Sequence, residues 1–162
     1  MLIGMDGLEW DIMGPMVESG RLPNFERLAR EGAWGEQRSL DIPVLESPII
    51  WTSIATGKRP EKHGIWGFLK SSGPAEAGTP MTSNARRAQA LWNILGDAGR
   101  EVGVIDWLVT WPAEEVRGYM VTSYFAFPAR PGWATERLVY PESLYEEIEQ
   151  FRYERGEIGD EM

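Results

Sequence analysis

Apolar positions follow two different periods between residues 86 and 107, and together they predict a helix followed by a strand. The run from Val102 to Trp107 is almost continuously apolar, which is typical of a buried strand. Before it, apolar residues spaced three or four positions apart mark one face of a helix, and Gly99 follows the last of them: Ala88, Leu91, Trp92, Leu95 and Ala98. A helix that leads into a buried strand is half of a β-α-β crossover.

Shorter patterns predict the other elements. Strands are predicted at residues 1–7 ("MLIGMDG"), 35–42 ("GEQRSLDI") and 118–125 ("GYMVTSYF"). Two short helical pieces are predicted within residues 8–35, broken at Gly14-Pro15 and at residues 20–23. Further helices are predicted from Ser47 to Thr56, with Gly57 as the stop, and from Pro141 onward. Residues 70–84 are rich in Ser, Gly, Pro and Ala and predict a loop, and residues 141–162 predict a helix and a charged end.

Strands that alternate with helices indicate an α/β fold with a largely parallel sheet flanked by helices. Such sheets place ligand sites at the carboxyl ends of their strands, and Asp6 closes the first predicted strand. The length of 162 residues suits one domain and is short for two. Because the first strand begins almost at residue 1 and the charged end has no compact finish, we expect residues 1–162 to be part of a single, incomplete domain.

Composition narrows the possible functions. The net charge of −9 and the pI near 4.7 argue against a broad nucleic-acid surface, because neutralising phosphates requires clustered Lys and Arg. The chain has no cysteine, so it can form neither a disulfide framework nor a thiolate metal site. No apolar run resembles a signal peptide or a membrane span, so we expect a soluble chain whose compartment stays open.

Ser47 opens an apolar helix and is followed directly by Pro48. The first residues of a helix face unpaired backbone N–H groups and the positive end of the helix dipole, which favours an alkoxide or a bound phosphate. Ser before Pro is also a common way to start a helix, with Ser as the N-cap and no catalytic role. Ser47 is therefore either a nucleophile or an ordinary cap.

Asp6 and His63 also allow two interpretations each. A carboxylate at the tip of a buried strand can bind a hard metal ion, and Gly7 would let the backbone approach closely, but Asp-Gly is equally a turn or cap pair. His63 is the single histidine of the chain. One histidine beside a glycine in a loop is more often a hydrogen-bonded structural residue than a metal ligand, and this chain alone cannot build a histidine-rich site.

Three stretches, taken together and in this order, resemble the alkaline phosphatase superfamily: "IGMDG", "GRLPNFERLAREGAWG" and "SPIIWTSIATGKRPEKHGIWGF". The most similar branch is the type I phosphodiesterase and nucleotide pyrophosphatase family. The likeness is strong from Leu2 to about Phe68 and continues more loosely through "VGVIDWLVTWPAEEVRGYMVTSYF". It implies an α/β fold of the alkaline-phosphatase type and a small-molecule phosphoester substrate.

The resemblance also implies roles for individual residues. In this family a Ser or Thr at a helix N-terminus attacks phosphorus and contacts one of two bound divalent metal ions, usually zinc. Thr56-Gly57, Pro60 and His63-Gly64 match the segment after that helix, which places the nucleophile at Ser47 and a metal ligand at Asp6. The His-Gly pair is structural in the family. Ile50 stands where nucleotide pyrophosphatases often carry a phosphate-binding Asn, which is a departure from the nucleotide-specific pattern.

The remaining metal ligands of the family, several Asp and about three His, have no counterparts in this sequence. We therefore expect these residues to be the N-terminal portion of a larger enzyme, to hold at most one partial metal site, and to be inactive alone. The complete protein would be a metal-dependent hydrolase that works through a phosphoserine. The alternatives are a non-catalytic α/β fragment or binding module, and a phosphotransferase with the same nucleophile. The sequence does not distinguish hydrolysis from transfer, and it leaves the substrate and the oligomeric state open.

Overall fold

The computed structural model describes residues 1–70, 78–126 and 137–152, which fall into two compact units, Met1–Asp41 and Ile42–Met162. The first unit contains α1 (Trp10–Glu18) and α2 (Pro23–Glu31). These two helices line an apolar cavity of about 330 Å³. The predicted break at Gly14-Pro15 is wrong, because α1 runs through Pro15. The proline removes only one intrahelical donor, and the hydrogen bond from the Ser19 N–H to the Pro15 carbonyl (3.0 Å) keeps the last turn closed.

The predicted strands at residues 1–7 and 35–42 are also wrong. The side chains of Leu2, Ile3 and Met5 are all more than half exposed, and neither stretch belongs to a strand. A strand needs a neighbour for its backbone N–H and C=O groups. Within the described unit, Met1–Asp41, the regular elements are the two helices, so an apolar sequence has no ladder to join.

The second unit contains a three-stranded sheet in the order β1-β2-β3 with helices α3 to α6 around it. The strands are β1 (Val102–Trp107), β2 (Gly118–Thr122) and β3 (Val139–Tyr140). The helices are α3 (Ser47–Thr56), α4 (Pro60–His63), α5 (Leu91–Asp97) and α6 (Leu144–Ile148), with short 3-10 helices at Ser83–Ala85 and Glu149–Phe151. The α/β class is therefore confirmed for this part of the protein.

The strands predicted at residues 102–107 and 118–125 are confirmed, although the second ends at Thr122. β1 and β2 are parallel, with Val104 opposite Met120, and the short β3 joins β2 in an antiparallel ladder. The connection between β1 and β2, residues 108–117, contains no helix. β1 is less buried than its sequence suggests, since Ile105 is 65% exposed while Val104 is buried.

The helix boundaries differ from the prediction at two places. α5 begins at Leu91 and not at Ala88, because the backbone of Ala90 is extended and its N–H donates to the Asn93 Oδ1 (2.8 Å). α6 begins at Leu144, three residues after Pro141, and the predicted charged end from residue 153 lies outside the described residues. Most of the predicted loop, residues 71–77, also lies outside them.

The main core of the second unit packs α3 and α5 against β1 and β2. Its buried members are Ala55, Ala90, Trp92, Val104, Ala113 and Met120. Trp92 is buried at 6% exposure, and Trp107 packs against the same cluster, whereas Trp66 is 53% exposed. The tryptophans are therefore divided between the core and the surface.

A partly buried ion pair ties the start of α5 to the loop that precedes β2. The Arg86 Nη2 lies 2.7 Å from the Glu114 Oε2, and their side chains are only 8% and 23% exposed. Asn93 Nδ2 and Trp92 Nε1 also donate to the Glu114 carboxylate, at 3.1 and 3.3 Å. Burial alone would raise the pKa of Glu114, but the hydrogen bond and charge of Arg86, with the two further donors, hold it below its ordinary value.

Glu114→Ala should lower the free energy of unfolding by about 3 kcal/mol, because it leaves the buried Arg86 guanidinium without its counter-charge. The neighbouring Glu115 is exposed, so Glu115→Ala is the matched control and should change stability by less than about 0.5 kcal/mol. Urea denaturation followed by circular dichroism measures both. Equal small effects from the two variants would contradict a stabilising role for the pair.

Candidate functional site

α3 spans Ser47–Thr56, as the sequence predicts, and Gly57 closes it with a left-handed backbone (φ 62°). The residue at the N-cap is Glu46, which is extended, so Ser47 is the first helical residue and Pro48 the second. Ser47 is therefore not the N-cap, and the alternative that explained it as an ordinary cap is wrong. Its side chain is half-buried at the positive end of a ten-residue helix.

The first turn of α3 offers fewer free donors than the sequence suggests. The Ile49 and Ile50 N–H groups both donate to the Glu46 carbonyl, at 3.0 and 3.3 Å, and Pro48 has no N–H. The expectation that several unpaired N–H groups would hold a phosphoryl oxygen is thus wrong for these positions. What the helix supplies at Ser47 is mainly its dipole.

Tryptophans fix α3 on the sheet. The Trp107 Nε1, at the end of β1, donates to the Trp51 carbonyl in the middle of α3 (3.1 Å). The rings of Trp51 and Trp107 meet edge to face with centroids 5.0 Å apart, and the ring of Trp92 also packs on Trp107, with centroids 6.0 Å apart. Since aromatic pairs prefer this geometry, the cluster sets both the distance and the orientation of α3 relative to β1.

Glu46 links the start of α3 to a segment more than twenty residues further along the chain. Its Oε2 accepts a hydrogen bond from the Phe68 N–H at 3.0 Å. The carboxylate also lies where a side chain on Gly67 would be, since a Cβ there would come within 2.6 Å of the same oxygen. Glu46 is not among the residues that the sequence motifs indicate, although an acid directly before the candidate nucleophile is a signal that could have identified it.

Ser53 and His63 form a serine–histidine pair whose geometry argues against a catalytic role. The Ser53 Oγ lies 3.0 Å from the His63 Nε2, but the Ile65 N–H approaches the His63 Nδ1 at 3.1 Å. A backbone N–H can only donate, so Nδ1 must accept and the ring proton sits on Nε2, which donates to Ser53. The Ser53 hydroxyl in turn donates to the Ile49 carbonyl at 2.8 Å.

His63 is therefore a structural residue, as the sequence analysis favours. Its side chain is fully buried and both ring nitrogens are engaged, so it offers no lone pair to a metal ion or to a substrate proton. Burial lowers the pKa of His63, and the nearby charge of Glu61 opposes that shift. The pair joins α3 to α4 and to the segment that follows.

Asp6 lies in the first unit, in an exposed turn completed by Gly7 at φ 69°, and not at the end of a strand. Over residues 1–70, 78–126 and 137–152, no three His, Cys, Asp or Glu side chains gather closely enough to hold a metal ion. With His63 committed to its own hydrogen bonds, this part of the chain does not supply a complete ligand set for a metal ion.

An acid that the sequence analysis did not select does lie at the carboxyl end of a parallel strand. Asp106 interrupts the register between β1 and β2, with a left-handed backbone (φ 54°), and partial burial raises the pKa of its carboxyl. At the adjoining end of β2, the buried hydroxyls of Thr122 and Ser123 have no hydrogen-bond partner in the described part of the chain. A lone Asp at the end of an apolar run was the only sequence signal for this group.

The α/β fold places a serine at the first position of a helix that packs on a parallel strand. This is a candidate position for a nucleophile. Residues 1–154 match the sequence profile of the family Type I phosphodiesterase / nucleotide pyrophosphatase. The chain belongs to this family, and its reaction class is phosphoester hydrolysis. Comparison with curated proteins and with solved structures gives no significant match. No helix in the described ranges has the length and apolar character needed to cross a membrane.

Stability should fall as the pH drops below about 6.5, the ordinary His pKa, toward the lower folded-state value of His63. In that window the unfolded chain binds more protons than the folded one, so the free energy of unfolding rises with pH. The contribution of His63 reaches its full value above the window. His63→Gln should remove this part of the pH dependence in urea titrations. Glu61→Gln is the control and should steepen it, since it removes the charge that opposes the shift. An unchanged profile in His63→Gln would contradict the assignment.

Proposed function

We propose that the protein is a phosphoester hydrolase in which Ser47 is the nucleophile and a phosphoserine is the intermediate. The observation that carries the proposal is the placement of Ser47 as the first residue of α3, half-buried at the positive end of the helix. Family membership supplies the reaction class. The helix dipole favours the negative charge that develops on the hydroxyl oxygen and on the phosphoryl group.

The reaction would proceed in two displacements. The Ser47 Oγ forms a bond to phosphorus, the bond from phosphorus to the leaving oxygen breaks, and the hydroxyl proton leaves with the alcohol product. Water then attacks the phosphoserine, the bond between phosphorus and Oγ breaks, and the serine hydroxyl is restored as phosphate departs. Net, one ester and one water give one alcohol and one phosphate, or one alcohol and one phosphomonoester when the substrate is a diester and its second substituent stays on the phosphorylated serine. The Trp107 and Glu46 contacts described above would hold Ser47 in place during both steps.

The second part of the proposal concerns metal ions. Members of this family are metal-dependent, and two divalent ions such as zinc would stabilise the charge on the reacting phosphoryl group. We propose that Asp6 and the Ser47 oxygen are the ligands that this sequence contributes, and that the others come from residues outside the described part. The isolated chain would then be inactive, and a longer protein would carry the activity.

Ser47→Ala should abolish turnover of an aryl phosphodiester while it changes the free energy of unfolding by less than about 1 kcal/mol, because Ser47 is not the N-cap. Assays use the longest active form of the protein. Ser53→Ala is the control: it loses hydrogen bonds and some stability, yet it should retain turnover per folded molecule. Mass spectrometry of acid-quenched reactions should find the phosphoryl group on the peptide that contains Ser47. Turnover that survives in Ser47→Ala, or is lost in Ser53→Ala, would contradict the assignment of Ser47 as the nucleophile.

Zinc titration of this chain by calorimetry tests the metal proposal. Residues 1–162 should bind no pair of zinc ions tightly, and any weak binding should diminish in Asp6→Asn. Asp11→Asn, on the exposed first turn of α1, is the control and should leave the titration unchanged. Tight binding of two ions would show that the chain contains full sites and would contradict the proposal.

A further inference from the structure

The cavity of the first unit follows one face of α1. The α1 residues that line it are spaced three or four positions apart, as on a single side of a helix: Trp10, Met13, Gly14, Val17 and Glu18. The remaining wall comes from α2 and from the residues that follow it. The volume of about 330 Å³ lies at the lower end of the range of small-molecule pockets, whose walls are mostly apolar with a few polar groups. The cavity therefore has the size and the walls of a ligand site.

The two ends of the cavity differ in chemistry. At the start of α1, the ring of Trp10 meets that of Trp34 with centroids 5.5 Å apart. At the end of α1 lies Glu18, the only charged residue among those that line the cavity in the described first unit. Eight residues of α-helix separate Trp10 from Glu18, which corresponds to about 12 Å along the axis. A ligand that reaches both ends is therefore elongated, with an apolar end and a polar end.

The charge of Glu18 is not balanced by the residues around it. Glu18 is the last residue of α1, and the last turn of this helix contains no basic residue. The C-terminal end of a helix carries a partial negative charge, so a carboxylate there is unfavourable unless a cation compensates it. Across residues 1–70, 78–126 and 137–152, no hydrogen bond or ion pair engages the Glu18 carboxylate, and Arg21, the next basic residue along the chain, does not pair with it. The site lacks a positive charge that a ligand can supply.

Gly14 leaves part of the cavity wall without a side chain. Inside a helix, glycine is less favourable than alanine, because it loses more backbone freedom on folding. A Cβ at Gly14 would find no neighbouring atom within 4 Å in the described chain, so packing gives no steric reason for glycine at this position. A ligand that occupies the same space would give one.

We propose that the cavity binds a small amphiphilic amine, whose ammonium group pairs with Glu18 and whose apolar body extends toward Trp10 and Trp34. A carboxylate at the negative end of a helix attracts a cation, and an ammonium N–H donates a charge-assisted hydrogen bond to it. The rest of the ligand gains free energy when it leaves water for an apolar wall. The inference goes beyond the proposed function and does not rest on Ser47, because every lining residue belongs to the first unit.

The test measures binding to the full chain by calorimetry with octylamine, 1-octanol and sodium octanoate, which share a hydrocarbon chain and differ in charge. Octylamine should bind, octanol should bind about tenfold more weakly, and octanoate should not bind measurably. Across hexylamine, heptylamine and octylamine, each added methylene should tighten binding about threefold, because the chain is buried against the apolar wall.

Three variants locate the site. Glu18→Gln should weaken octylamine binding about tenfold and leave octanol binding unchanged. Asp11→Asn is the matched control, since it removes the same charge from the exposed first turn of the same helix, and it should change neither affinity. Gly14→Leu should fill the cavity and abolish binding of both compounds, while circular dichroism shows an intact fold.

Equal affinities for octylamine and octanol would overturn the proposal, because the ammonium group would then not be recognised. Equal losses in Glu18→Gln and Asp11→Asn would overturn it too, since they would show only a general attraction of cations to an acidic chain. No binding of octylamine to the wild-type chain, or unchanged binding in a folded Gly14→Leu, would also overturn it and would indicate that another protein segment covers this face of α1.

Discussion

The position of α3 depends on one hydrogen bond and the rings around it. The Trp107 indole donates from the end of β1 to a carbonyl in the middle of α3, and the ring of Trp92 packs against it. Because the helix is fixed at its centre, its first residue is fixed as well. The contact with the sheet therefore determines the position of Ser47. The site is thus built from the core outward, with an aromatic cluster between the parallel strands and the helix that presents the hydroxyl.

Glu46 and His63 extend that constraint to the segment beyond α4. Both side chains accept hydrogen bonds from backbone N–H groups, Glu46 from that of Phe68 and His63 from that of Ile65. These contacts fix the segment through its backbone, in addition to the packing of Ile65 in the core. The same arrangement accounts for the buried glycine at position 67, where any Cβ would collide with the Glu46 carboxylate.

The sequence predicted well the elements whose signals are local. The bounds of α3 follow from Ser-Pro at one end and Thr-Gly at the other, and β1 follows from an apolar run after Gly99. The run at residues 1–7 is also mostly apolar, but a strand requires a partner as well, and that information is not local. The contact between Glu46 and Phe68 joins distant positions, and the ring proton of His63 depends on the backbone of Ile65, so neither could be read from spacing. Only the family resemblance pointed to Ser47 as more than a helix start.

A single imidazole in the whole chain has a practical consequence for spectroscopy. Every carbon-bound imidazole resonance in a proton NMR spectrum belongs to His63, so no assignment is needed. Its Nε2 proton, shielded from water and held by Ser53, exchanges slowly enough to be observed only while the junction of α3 and α4 is closed. That one signal can follow local opening of the junction during binding, heating or mutation, separately from unfolding of the rest of the molecule.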